Sequence, residues 1–372
     1  MKRILFLFSD TGGGHRASAN AIIEGLELEY PGQYETQMVD FLRYYSPPPL
    51  KYSPEIYPPL AKMKLVWKGA YAASNGLKRN QFVNHVSYPA MAHLSKKLIE
   101  ENPADIIVSV HHFANWIIPR AMKRNPTPFV TVVTDMVSTH AIWYSPTADL
   151  IIVPTMQARN RGIRFGIEPD KLVVIGQPVS PVFSQDIGPK EKLRADLGWE
   201  PDRPVALLVG GGDGMGPLRK LVRSINEAEL PVTLAVICGR NETLAHDLES
   251  LEWKIPHHIY GFTTEMPKYM KAADIFVTKA GPGSVSEAFI CGLPIVMYSC
   301  MPGQEEGNVD YVLDGGAGIW APKAKSTVEA VRQLATDHAM RKEYATASAN
   351  LARPDAARGI ARAIVGQLEA SG

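Results

Sequence analysis

Short apolar, β-branched runs alternate along this chain with longer stretches whose apolar residues recur at helical spacing. That rhythm is the signature of parallel sheets crossed by helices. In the first half the runs predict strands at Arg3–Phe8, Thr36–Val39, Asp105–Val110, Phe129–Thr134, Asp149–Val153 and Leu172–Ile175. The rhythm restarts with Pro204–Val209, Val232–Cys238, His258–Tyr260, Asp274–Thr278 and Pro294–Tyr298. Between the halves, Gly176–Pro189 (GQPVSPVFSQDIGP) is rich in Pro, Gly and Ser and reads as a linker. The pattern therefore predicts an α/β protein with one domain over 1–178 and a second over 190–350. The tail, 351–372, has a helical pattern at Asp355–Leu368 and is expected to pack back on the first domain. One stretch, 44–60 (YYSPPPLKYSPEIYPPL), is expected to be a loop, because its prolines remove donors and fix φ.

Composition changes this picture in three ways. At 372 residues and 45% hydrophobic, the chain is long enough for two ordinary cores. Its formal net charge of +1 argues against a dedicated nucleic-acid binder. That balance hides an asymmetry. From Arg43 to Lys97 there are nine Lys/Arg against the single acid Glu55, a net of +8, so the rest of the chain carries about −7. The three cysteines, Cys238, Cys291 and Cys300, fit no zinc spacing and read as reduced thiols. The opening MKRILFLFSD is too short in its apolar run for a signal peptide and reads as a first buried strand. No run of about 18 apolar residues is present.

Four motifs carry candidate chemistry. The first is Ser9-Asp10-Thr11-Gly12-Gly13-Gly14-His15, directly after the first strand and before a helical run. Successive glycines let a ligand approach the backbone, and the helix N-terminus favours negative charge. His15 stands at the loop–helix junction, where open α/β sheets bind ligands. A capping His in a turn is the alternative. The second is Val209-Gly210-Gly211-Gly212-Asp213-Gly214-Met215-Gly216-Pro217, which lacks the Gly-Lys-Ser/Thr ending of a P-loop. It reads either as a diphosphate cradle or as a tight connection. The third is Thr278-Lys279-Ala280-Gly281-Pro282-Gly283-Ser284-Val285-Ser286-Glu287-Ala288. A strand ends, a Gly-Pro-Gly turn follows, and Ser284 is expected to cap the next helix. The free N–H groups of its first turn suit a phosphate, and Glu287 suits two ribose hydroxyls. A Ser284–Glu287 capping box fits the same spacing. The fourth, Pro302-Gly303-Gln304-Glu305-Glu306-Gly307-Asn308, offers amides and carboxylates to sugar hydroxyls, or is a polar surface loop.

Taken together, DTGGGHRASA, TKAGPGSVSEA and PGQEEGN resemble the monogalactosyldiacylglycerol synthases and the processive diacylglycerol glucosyltransferases, of the glycosyltransferase family 28 type. More remotely they resemble the GlcNAc transferase that completes the lipid-linked peptidoglycan precursor. The resemblance covers nearly the whole chain in order and spacing. It implies a GT-B fold, two Rossmann-like domains with a cleft between them, the acceptor on the N-terminal domain and a UDP-sugar on the C-terminal one. It implies inversion, from an α-linked UDP-sugar to a β-glycoside. By position, His15 matches the general base on the acceptor hydroxyl, in a loop with Gly12, Gly13 and Gly14. Gly283 and Ser284, with Gly211 and Gly212, would hold the diphosphate and Glu287 the ribose. Gln304 and Glu305 would read the hexose, with Asn308 nearby, and Phe262 would lie beside the uracil. Asp135 would face the cleft and orient His15; a strand-end turn residue is the alternative. The chain departs from its relatives at His111-His112, where they often carry His-Pro.

The expected reaction is hexose transfer, galactose ahead of glucose, from a UDP-sugar to diacylglycerol. No cofactor is expected and no metal strictly required, since helix N-termini and glycine loops can stabilise the leaving diphosphate. The basic segment, with Met63-Lys64-Leu65-Val66-Trp67-Lys68, suits an anionic membrane surface. The expectation is a peripheral protein on the cytoplasmic side of the membrane. A different lipid-linked or soluble acceptor, a UDP-GlcNAc 2-epimerase and a sugar-nucleotide sensor are the competing readings.

Overall fold

A computed structural model describes residues 1–11, 13–56, 63–122, 126–212, 214 and 216–371. Gly12 of the first glycine run and Asp213 of the second lie outside the described residues, as does 57–60 of the Pro/Tyr stretch. The chain divides into two units: Met1–Pro181 with Met301–Gly307 and Asp355–Gly372, and Val182–Cys300 with Asn308–Pro354.

In the first unit the chain order is β1 (Lys2–Phe8), α1 (Gly14–Glu29), β2 (Tyr34–Asp40), α2 (Phe41–Tyr45), α3 (Lys64–Ser74), α4 (Leu77–Glu101), β3 (Ile106–Ser109), α5 (Ala114–Ala121), β4 (Phe129–Val132), β5 (Leu150–Val153), α6 (Met156–Arg164) and β6 (Leu172–Val174). The six strands form one parallel sheet in the order β2-β1-β3-β4-β5-β6. Both faces are covered, so β1 is apolar almost throughout. Leu5 and Leu7 pack on one side with Phe41, Leu98 and Trp143. Ile4, Phe6 and Phe8 pack on the other with Ile22, Leu26, Ile360 and Ile364. The last two belong to the C-terminal helix of the chain, Ala356–Ala370, which lies against α1. The approach is close: a Cβ on Gly25 of α1 would stand 2.7 Å from the Ala357 backbone.

The second unit continues with α7 (Lys190–Leu197), β7 (Val205–Val209), α8 (Leu218–Glu227), β8 (Thr233–Ile237), α9 (Glu242–Glu249), β9 (His257–Tyr260), α10 (Met266–Ala272), β10 (Ile275–Lys279), α11 (Pro282–Ile290), β11 (Ile295–Ser299), α12 (Glu306–Asp314), β12 (Gly318–Trp320), α13 (Ala324–Thr336) and α14 (His338–Leu351). The C-terminal helix Ala356–Ala370 is α15. The second sheet is also six-stranded and parallel, in the order β12-β11-β10-β7-β8-β9.

Three expectations change. Gly318–Trp320 adds a strand that three residues are too short to announce by alternation. The Pro/Tyr stretch holds a 3₁₀ turn at Leu50–Tyr52 running into helical residues 53–56, instead of an irregular loop. The segment 301–307, placed by chain order in the second domain, groups with the first unit. Its hydrogen bonds explain this: Gln304 donates to Asp135, and the Gly307 N–H donates to Ser138.

Candidate active site

Strand order locates the ligand ends of both sheets. Where neighbouring strands send their connections to opposite sides, a crevice opens at the carboxyl ends. In the first sheet that point lies between β1 and β3, and in the second between β7 and β10. The first glycine run with His15 follows β1, and His111-His112 follow β3. The second glycine run follows β7, and the Gly-Pro-Gly turn follows β10.

At the first point Gly13 is the N-cap of α1 with φ of 74°, a left-handed conformation suited to glycine. A Cβ on Gly13 or Gly14 would meet nothing within 4 Å, so the loop has open space before it. His15 Nδ1 lies 2.8 Å from the Val110 carbonyl, with the Thr134 hydroxyl at 3.1 Å. A carbonyl only accepts, so Nδ1 carries the proton and Nε2 keeps the lone pair. Burial pushes His15 down to about 4, against a smaller upward pull from the Val110 hydrogen bond. His15 is therefore neutral at physiological pH. Its ring stands edge-on to His111, centroids 4.5 Å apart, and near His112 and Trp143.

Asp135 does not orient His15, contrary to expectation. Its Oδ2 accepts from Trp143 Nε1 at 2.7 Å and its Oδ1 from Gln304 Nε2 at 2.9 Å. Burial raises its pKa, while those two hydrogen bonds oppose the rise. The backbone carbonyl of Val110 takes the orienting role, and no side-chain pattern announces a carbonyl. Gln304 and Glu305 are likewise engaged. Gln304 holds Asp135, and the buried Glu305 accepts from the Met301 N–H at 2.7 Å. Asn308 is buried in the second unit and donates to the Ala280 carbonyl at 2.9 Å, fixing the turn after β10.

At the second point a β-bulge between Thr278 and Lys279 ends the regular pairing of β10 with β11. The cap differs from expectation. Gly281 is the N-cap of α11, with no side-chain cap hydrogen bond, and Ser284 falls inside the first turn. Pro282 at the first helical position moves the start forward. The Ser284–Glu287 capping box is therefore absent. Among the described residues the first-turn N–H groups have no side-chain acceptor, and Gly283 faces open space. Half-buried Glu287 is pushed up to about 7 by burial alone. The β7 run lies close by: a Cβ on Gly211 would stand 3.8 Å from Lys279 Cε. Arg240, which the sequence did not single out, donates its N–H to the Gly212 carbonyl at 2.9 Å. Its guanidinium lies over the exposed Phe262 ring, 4.5 Å from the centroid. A cation next to both a glycine loop and an aromatic face was invisible to local pattern.

Comparison with known proteins agrees with this architecture. Residues 15–179 match the family described as monogalactosyldiacylglycerol (MGDG) synthase, and residues 189–350 match glycosyl transferases group 1. A rice (Oryza sativa subsp. japonica) protein named probable monogalactosyldiacylglycerol synthase 3, chloroplastic, is 36% identical over 379 residues, covering 98% of this chain and 74% of the relative. The chain belongs to the monogalactosyldiacylglycerol synthase family. It is a glycosyltransferase with the GT-B fold. Among solved structures, Acinetobacter baumannii MurG superposes with a TM-score of 0.63 at 14% identity, covering 98% of this chain and 100% of that one. A Neisseria meningitidis UDP-GlcNAc 2-epimerase bound to UDP-GlcNAc gives 0.64 at 13%, with 98% and 100% covered. At these identities the likeness is one of fold.

A third feature of the first unit bears on the acceptor. Helices α3 and α4 expose Leu65 (87%), Val66, Phe82 (69%), Val83 and Val86 (60%). Between them a cavity of about 540 Å³ is lined by Ala70, Ala73, Phe82 and Val83, with Lys78 and Arg79 beside it. Contiguous apolar exposure of this kind marks an interaction surface. Part of the segment's charge is spent internally, through Lys68–Glu306, Lys97–Glu101 and Arg43–Glu55 pairs. No described helix is long and apolar enough to cross a membrane.

Proposed function

We propose that this enzyme transfers a hexose, galactose ahead of glucose, from a UDP-sugar to the free hydroxyl of diacylglycerol, inverting the anomeric carbon to give a β-linked glycolipid. The observation that carries the reading is His15: a neutral imidazole at a switch point, its tautomer set by a carbonyl and its Nε2 lone pair left for a substrate. The name of the rice relative, a probable monogalactosyldiacylglycerol synthase, supports galactose and diacylglycerol.

In this mechanism the acceptor oxygen attacks the anomeric carbon as His15 Nε2 takes its proton. The bond from that carbon to the diphosphate oxygen breaks, and UDP leaves with the electron pair. Attack opposite the leaving group inverts the centre. The acceptor hydroxyl becomes acidic only as its new bond forms, so a base of low pKa acts in the transition state while staying unprotonated beforehand. Gly283 and Ser284 present the N-terminal N–H groups of α11 to the diphosphate, and Gly211 and Gly212 present the β7 loop. Lys279 and Arg240 add positive charge nearby, so no metal is strictly required for the leaving group. Glu287 accepts the ribose hydroxyls and Phe262 lies beside the uracil. Gln304 reads the hexose after releasing Asp135, with Glu305 and Asn308 shaping its loop. The exposed faces of α3 and α4 rest on an anionic membrane, binding it peripherally.

The test is a panel of UDP-sugars with diacylglycerol in liposomes, with products analysed for anomeric configuration. A β-galactosyl lipid is expected. Free sugar released without acceptor points to the epimerase-like reading, and an α-linked product overturns inversion.

A further inference from the structure

Three imidazoles that the sequence keeps far apart meet at the β1/β3 switch point. His15 opens α1, while His111 and His112 follow β3. One nitrogen of each lies within 4.8 Å of the other two. The His111 and His112 rings stack at 4.6 Å and 17°, and His15 stands edge-on to His111. Trp143 walls the cluster on the side of His15 and His112, and Phe41 on the side of His111. His111 is fully buried, whereas His15 and His112 are partly exposed, so the cluster opens to solvent on one side.

Polar partners prepare two of the rings, His15 and His111, as ligands. Metal-binding histidines usually donate their second nitrogen to a protein acceptor, which fixes the ring and raises its basicity. His15 does this through Nδ1 and the Val110 carbonyl. His111 Nε2 lies 3.0 Å from the Thr11 hydroxyl, and its Nδ1 has only a long contact, 3.4 Å, from the Phe113 N–H. The carboxylate near the cluster, Asp135, is already held by Trp143 and Gln304. A set of neutral nitrogens without a carboxylate selects zinc, cobalt, nickel or copper and rejects magnesium and calcium.

We propose that His15, His111 and His112 form a three-imidazole site for a divalent transition-metal ion of the zinc class, and that the ion switches transfer off by occupying the His15 lone pair. The site differs from a cofactor site, because the nitrogen it takes is the one the reaction uses. The inhibitory half rests on His15 being the base; the binding half does not.

The experiment titrates the full chain with cobalt(II) and zinc(II), read by visible absorption and calorimetry, and separately measures transfer in chelator-buffered zinc. One ion per chain is expected, with nitrogen-type ligand-field bands and inhibition that a chelator reverses. His112→Ala should weaken binding ~10-fold or more and shift the inhibiting zinc concentration equally, relative to its own turnover. Should that variant lose its fold by circular dichroism, zinc protection of His15 and His112 from diethyl pyrocarbonate in the unaltered chain decides instead. A thiolate charge-transfer band would assign the metal to Cys238, Cys291 or Cys300 and overturn the site. Absence of binding overturns it too and leaves His15 standing as base. Nitrogen-bound cobalt with undiminished transfer overturns the switch and the base role together.

Discussion

The loops after β1 and β10 are built alike and prepared differently. Each runs from a strand through glycines into a helix at a switch point, and each presents one titratable side chain that burial keeps from its usual charge. His15 is pushed down to about 4 and Glu287 up to about 7. His15, however, is already fixed by the Val110 carbonyl, whereas burial is the sole cause of the shift at Glu287. The difference teaches which group is finished by the protein and which is finished by a ligand. A base must be aimed before the substrate arrives, because misorientation raises the barrier directly. A carboxylate that reads hydroxyls gains its hydrogen bonds on binding, and its desolvation is offset then.

The sharpest way to break this comparison is to remove the aimed group. His15→Ala should lower turnover by roughly 100-fold or more while UDP binding stays nearly intact, since a general base typically contributes ~10²–10⁴. Steady-state kinetics with calorimetric UDP titration checks both halves, and near-normal turnover removes His15 from the mechanism.

Glu287→Ala should do the reverse. Losing hydrogen bonds to a charged acceptor costs about 1.5–3 kcal/mol, so UDP should bind roughly ten- to a hundredfold more weakly. Unchanged UDP affinity would show that Glu287 does not wait for a ribose.

A third test separates acceptor from donor functions. Neutralising Lys78 and Arg79 together to Gln should weaken binding to anionic vesicles by roughly 30-fold, at about 1 kcal/mol per cation. UDP affinity should stay the same. Binding should fall with salt as the Debye length shrinks from ~10 Å at 0.1 M to ~3 Å at 1 M. Equal sedimentation with neutral and anionic vesicles removes the electrostatic docking.

The smallest effects are in pH, and they carry opposite signs. Because protonation below about 4 removes the His15 lone pair, kcat at saturating UDP-sugar, where the ribose already holds Glu287, should stay flat down to about pH 5 and fall below it. An ordinary histidine would bend the profile near 6.5. For stability, the unfolded chain binds more protons than the fold at His15 between 6.5 and about 4, so this contribution is lost as pH falls through that window. At Glu287 the fold binds more protons between 4.5 and about 7, so its contribution is lost as pH rises through that window. Glu287→Gln should therefore melt higher than the unaltered chain at pH 8, with the gap closing toward pH 5. A gap independent of pH would contradict the shift.

The sequence by itself determined the two sheets, eleven strands close to their observed bounds, and four loops at strand ends. Those are local matters: apolar runs, the left-handed turn at Gly13 and the proline that opens α11 are decided within a few residues. It also determined the family, because several loops recur in one order. Tertiary structure alone decided the partners. Val110 reaches His15 across 95 positions, and Gln304 takes Asp135 across 169. The imidazole trio exists only because β1 and β3 are neighbours. Hydrogen-bond partners and desolvation depend on which distant atoms share a small volume, and strand order, not residue spacing, sets that.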